Sequence, residues 1–247
     1  MPRKGAPREL ADAIRFKPHY LEHRSRLQER LLRGGPENLP DYEILEILLA
    51  ASNPRGDTKP LAKALIDHFG GLAEVLSAHP EALQDVKAEI DGKRRGLGTA
   101  GIAMLKAVRD AALRLSQSQL RRSDVIGSWD KLIDYCKANI AHVSVEEFHL
   151  LFLNRKNELI KHERQQRGTI DHTPVYPREV VKRALELNAS ALILVHNHPS
   201  GDPTPSKADI AVTRDIVSAA KPLGVTVHDH LIIGRGGHTS LKDLGLL

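Results

Sequence analysis

The sequence predicts two domains, an all-α N-terminal bundle and a C-terminal α/β (α+β) sandwich, on three observations. Up to residue 116, apolar residues recur with helical spacing in short segments separated by Gly, Pro or Asn. From residue 125, short apolar runs with β-branched residues alternate with amphipathic segments. Between them SQSQLRRSD, Ser116–Asp124, is polar and has no apolar face, which marks a linker over 117–124. With 41% hydrophobic residues in 247, the chain has enough apolar material for two packed cores.

Residues 1–35 read as a basic arm and helix. Nine Lys and Arg stand there against four Asp and Glu, so this segment alone accounts for the net charge of +5. Such an arm either meets nucleic-acid phosphates or is simply solvated. Helical spacing runs from Tyr20 to Arg33 and is ended by Gly34 and Gly35. Over 36–116, PDYEILEILLAAS (with Asp41 as cap), PLAKALIDHFGGLAEVLSA and PEALQDVKAEI all read as helical. KRRGLGTAGIAMLKAVRDAALRLSQ closes that domain with an amphipathic helix.

The second domain, 125–247, opens with a helix around Lys131–Ala141. FHLLFLNRKNELI then reads as a strand, a turn at Asn154–Asn157 and a returning strand, which RQQRGTI continues. A helix from Arg178 to Leu187 ends at Asn188, and ALILV is a buried strand. A proline-rich loop, a helix from Ser206 to Ala220 and the strands VTVHDHLIIG and HTSL complete the pattern, without internal repeats.

No apolar run reaches the roughly eighteen residues of a membrane span, and the start lacks the apolar segment of a secretory signal, so a cytoplasmic protein with no membrane partner is expected. The single cysteine, Cys136, excludes an internal disulfide and a cysteine-rich zinc site. A bound metal must therefore use His, Asp or Glu.

LVHNHPSGDPTPSKAD, Leu194–Asp209, places two imidazoles at the mouth of the ALILV strand. Strand alternation sends His196 and His198 to one side, and neutral imidazole is a common zinc ligand. An open catalytic zinc site takes three protein ligands and leaves a position for water. The third is Asp209, on the first turn of the helix after a loop stiffened by Pro199, Pro203 and Pro205. Asp202, in mid-loop, is a weaker rival. Ser206–Asp209 equally fits a variant capping box, in which Asp209 satisfies backbone donors instead.

His196-x-His198-Pro199, followed by Ser206-x-x-Asp209 with ten residues between His198 and Asp209, resembles the JAMM (MPN/JAB) metalloprotease motif. HNHPSGDPTPSKAD is similar to the version in the RadC-like family, as are YPREVVKRALELNASALILVHNHPSG before it and HDHLIIGRG after it. The resemblance covers the chain from about Leu27. It implies a zinc hydrolase sandwich of cytidine deaminase-like architecture acting on a peptide or protein substrate. It also implies His196, His198 and Asp209 as Zn2+ ligands, Ser206 as a transition-state donor and an upstream Glu that takes the proton of the attacking water. These roles agree with the general chemistry of zinc-assisted hydrolysis.

Three acids compete for that last role: Glu146, Glu147 and Glu179. The family places the base at the start of the first strand after a helix, which favours Glu146 or Glu147. Neighbours on a strand face opposite sides, and Glu146 shares its face with Phe148, Leu150 and Phe152, so Glu146 is the candidate. Glu179 reads as the capping acid of its helix. His228 and His230 form a second H-x-H with no acid at the matching spacing; they read as structural, with Asp229 or His230 as possible supports for a ligand. His238 stands where the family more often has an aromatic residue.

In the first domain, Gly96-Leu97-Gly98 beside Lys93, Arg94 and Arg95 resembles the second hairpin of a helix-hairpin-helix motif. There, backbone N–H groups at a helix start donate hydrogen bonds to a DNA phosphate. The competing reading is a helix start in a packed bundle. No aromatic residues interleave with the basic ones, so base stacking is not expected.

Overall fold

A computed structural model describes residues 19–120, 124–167 and 175–247. The expected arm over 1–18 and the end of RQQRGTI lie outside them. Helices α1 (His19–Gly34), α2 (Asp41–Ser52), α3 (Lys59–Phe69), α4 (Leu72–Ser77) and α5 (Pro80–Asp85) open the chain. The apolar faces of α2 to α5 meet in one core around Leu45, Leu49, Leu65, Val75 and Leu83, which Leu105 joins from later in the chain. Gly70, at φ +100°, ends α3 in the left-handed conformation that a side chain disfavours.

The N-terminal half is not purely helical. PEALQDVKAEI, expected as one helix, stops being helical at Asp85, and Lys87–Ile90 forms β1, paired antiparallel with β2, Lys93–Gly96. Ala88 and Ile90 alternate into the core while Lys87 and Glu89 face out, a period of two that overrides the helical reading. Asp91 and Gly92, both at positive φ, make the two-residue turn between Ile90 and Lys93. Lys93, Arg94, Arg95 and Gly96 thus form an exposed β-strand, so a strand and not a helix leads into Gly96-Leu97-Gly98. Gly98 does open the following helix, α6 (Thr99–Leu120), where its carbonyl accepts the Ile102 N–H at 3.1 Å.

Helix α6 also runs past Ser116 into the stretch expected as linker. Leu120, its last residue, is buried in the core of the C-terminal half beside Val125 and Leu132, so one apolar side chain anchors an otherwise polar turn.

That half carries α7 (Trp129–Ile140), β3 (Glu147–Leu153), β4 (Leu159–Arg167), α8 (Pro177–Glu186), β5 (Ala191–Asn197), α9 (Lys207–Ala220), β6 (Thr226–Gly234) and β7 (Gly237–Ser240). The sheet order is β4-β3-β5-β6-β7, antiparallel except for β5 and β6, which α9 connects. Alternation divides the side chains into two cores. Leu151, Leu153, Ile193, Val195 and Leu231 meet α7 on one face, while Leu150, Phe152, Leu192 and Leu194 meet α8 and α9 on the other. Leu192, Ile193 and Leu194 are fully buried, each worth about 1.5–3 kcal/mol of transfer free energy. This sandwich fixes the end of β5, where the histidines stand. No helix among the described residues is long and apolar enough to cross a membrane.

Candidate metal centre

His196 is the next-to-last residue of β5, a strand buried throughout, and is 1% exposed. His198 follows just beyond the strand, held by its own N–H on the Ile233 carbonyl (2.9 Å). Asp209 returns to them from the first turn of α9. The His196 and His198 Nε2 atoms lie 3.0 Å apart, with Asp209 Oδ1 3.2 Å from the first and Oδ2 3.5 Å from the second. Among the described residues this is the cluster of ligand-type side chains whose ligand atoms all fall within 4.8 Å of one another.

Hydrogen bonds fix which imidazole nitrogens carry protons. Thr213 Oγ1 donates to the Asp209 carbonyl, so it accepts from His230 Nδ1. A neutral His230 then has only a lone pair at Nε2, and His196 Nδ1 must donate to it across 2.8 Å. Burial holds the His230 imidazole well below its ordinary pKa, with the neighbouring His196 and His198 acting the same way. His198 Nδ1 donates to the Asp202 carbonyl at 2.8 Å. Both histidines therefore present Nε2 lone pairs to each other and to a carboxylate. One proton can lie between only two of these three groups, whereas a tetrahedral cation satisfies all of them. The donor set, two imidazoles and one carboxylate, fits a divalent metal.

The capping box and the ligand reading of Asp209 turn out to be compatible. Asp209 Oδ2 accepts the Ser206 N–H at 2.7 Å and Ser206 Oγ accepts the Asp209 N–H at 3.1 Å, while Oδ1 faces His196. The box aims the carboxylate at the histidines. Burial raises the Asp209 pKa, but the proton shared with the His196 and His198 imidazoles and the contact with Ser206 outweigh it and hold the carboxyl far below the usual carboxylate range. The same Asp209 carboxylate, as hydrogen-bond partner, raises the His198 pKa above its ordinary value. Ser206 itself is exposed, with its hydroxyl proton free to donate outward.

Glu146 sits immediately before β3, exposed, on the alternation face of Phe148, whose ring stacks on His196 at 6.1 Å. Its charge acts on His198. Glu147 faces the opposite side, where Arg164 (3.0 Å) and His149 (3.1 Å) hold it. Glu179 lies exposed on the first turn of α8 beside Arg178. Asp202 turns its carboxylate to Thr204, leaving only its carbonyl to the site.

Sequence reasoning missed three groups. Asn197, between the two histidines, points to the other sheet face. It accepts the Glu147 N–H at 2.8 Å and donates to the Val143 and Val145 carbonyls, so it clamps the segment carrying Glu146. Thr213, four residues after Asp209, ties α9 to His230. The Asp202 carbonyl is the third. Of the second H-x-H pair, only His230 serves the site, because the pairing shifts between Leu192–Val227 and Ile193–Asp229 and makes His228 the bulged residue. His228 instead meets Asn157 at 2.8 Å, and Asp229 binds Ser240 and the Lys242 N–H. His238 lies on β7, exposed.

Comparison with protein-family models matches residues 126–246 to the RadC-like JAB domain and residues 19–94 to the UPF0758 N-terminal domain. The first match spans the whole sheet and the converging His196, His198 and Asp209; the second covers the helical half through the start of the basic β-hairpin strand. With both halves matched in this order, the chain belongs to the RadC-like family.

Proposed function

We propose that this chain is a zinc-dependent hydrolase of JAMM type that cleaves a peptide or isopeptide bond, its sandwich having a cytidine deaminase-like architecture. The convergence of three lone-pair donors on one point, with a carboxylate on the same sheet face, carries this reading. His196, His198 and Asp209 would hold the ion, and Zn2+ there supplies Lewis acidity toward a carbonyl and an acidified water. Glu146, at the open rim, takes a proton from the attacking water and returns it to the leaving amine. Ser206, whose oxygen already accepts the Asp209 N–H, keeps its own proton to donate to the developing oxyanion. Asn197 fixes the backbone on both sides of Glu146 at the strand entry.

The test is a pair of neighbouring substitutions. Glu146→Gln keeps the metal and abolishes cleavage of a panel of peptide and isopeptide substrates by at least 100-fold. If instead Glu147→Gln abolishes cleavage while Glu146→Gln leaves it intact, the assignment of the base is wrong.

A second reading, a cytoplasmic DNA repair or recombination accessory with a structural metal, draws on the exposure of Lys93, Arg94, Arg95 and Gly96 on β2 and of Gly98 beside it. On this reading DNA affinity falls steeply between 50 and 200 mM salt, in the manner of phosphate contacts, and the triple Lys93→Ala/Arg94→Ala/Arg95→Ala variant weakens it and flattens the salt slope. Equal affinities for variant and wild type in a fluorescence titration would exclude the hairpin as the contact.

A further inference from the structure

A cleft of about 480 Å³ lies at the seam between the two halves. Ser77 of α4 and Arg109 of α6 line it from one side, and His142, Glu147, Arg164 and Arg235 from the other. It is on the sheet face opposite His196, since Glu147 and His149 border it while Phe148 stacks on His196. Arg235, in the turn between β6 and β7, joins the two regions by donating to the Pro199 carbonyl, next to His198, at 3.2 Å.

The charges in this cleft are unevenly matched. Arg164 pairs with Glu147 at 3.0 Å. Arg109 donates to the Asn139 carbonyl (2.7 Å) and the Ser77 hydroxyl (3.3 Å), Arg235 donates to the Pro199 carbonyl, and neither makes an ion pair among the described residues. Carbonyl acceptors hold these guanidinium groups in place without neutralising them. Arg109 is partly desolvated as well: burial lowers its pKa, and the more distant Glu147 and Asp110 offset this only in part. His142 adds a buried Nδ1 with no hydrogen bond, 3.4 Å from Glu74 across the seam. Forked guanidinium donors fixed in a concave, half-desolvated site match the planar oxygens of a carboxylate or phosphate.

We propose that the seam cleft is a binding site for a small oxyanionic ligand, one that presents a phosphate or carboxylate to Arg109 and Arg235. Because the lining comes from both halves, an occupant links them, and Arg235 places it one residue from the loop that carries His198. The site stands independently of the hydrolase reading.

Thermal unfolding and calorimetric titration of the full chain with inorganic phosphate or succinate, against sodium chloride at equal ionic strength, test this. At about ten times Kd one of the two anions raises the midpoint saturably by roughly 3–5 °C, and the larger shift identifies the group. Arg109→Met and Arg235→Met each weaken binding at least tenfold. Should Arg109→Met fail to fold for loss of its Asn139 contact, the exposed Arg235 decides alone. Binding persists in Asp209→Ala, which separates this cleft from the metal centre. No rise beyond that of chloride, an unchanged Kd in Arg235→Met, or loss of binding in Asp209→Ala would each overturn the proposal.

Discussion

His230 shows how one buried side chain sets the chemistry of another. It makes no approach to the ligand position itself, yet its Nε2 lone pair requires His196 to carry its proton on Nδ1, which leaves His196 Nε2 for a metal. Truncation removes that acceptor and lets the imidazole turn or change tautomer. His230→Ala therefore weakens zinc binding by roughly 10–100-fold, measured by competition with a chromophoric chelator, in a protein whose circular dichroism is unchanged. An unaltered affinity would mean that the tautomer is fixed by something else. The convergence of His196, His198 and Asp209 was readable from sequence because its determinants are local: strand alternation for His196 and His198, and helix-cap spacing for Asp209. His230 was not separable from His228, because the bulge that selects it arises from pairing with β5 and leaves no mark in the strand's own residues.

At the scale of elements, the loop between β5 and α9 is held by close backbone packing. Gly201, at φ +93°, puts its carbonyl against β6, where a Cβ on Gly234 would come within 2.3 Å of that oxygen. Backbone rather than a flexible side chain occupies the space, so Gly234→Ala must displace the loop that orients His198 through the Asp202 carbonyl. The expected result is at least tenfold weaker metal binding together with a loss of about 1–3 kcal/mol in urea unfolding. Normal affinity and stability would show that the loop adjusts without disturbing the site. The α7–α9 helices and strands β3, β5 and β6 were legible from their apolar patterns, and β4 as the return of β3 across the Asn154–Asn157 turn. The β1–β2 hairpin was legible only in part: Asp91-Gly92 is a turn signal, but the four-residue strands beside it are too short to compete with the helical spacing of PEALQDVKAEI.

Across the whole molecule, α6 joins two cores that the sequence divides at a polar stretch. Leu120 at its end belongs to the C-terminal core, and Arg109 midway along it reaches the Asn139 carbonyl at the end of α7. Such contacts join residues far apart in the chain, and polarity averaged over nine residues conceals them. The same long-range closure brings Asp209 to His196 and His198, and the presence of a metal there is the claim on which the account depends. Metal analysis of the purified full-length chain measures it most directly. The expected result is about one zinc per chain, lost in both His196→Ala and Asp209→Ala. Wild-type protein free of metal after purification without chelators and unable to take up zinc, or full zinc occupancy in both variants, would contradict it.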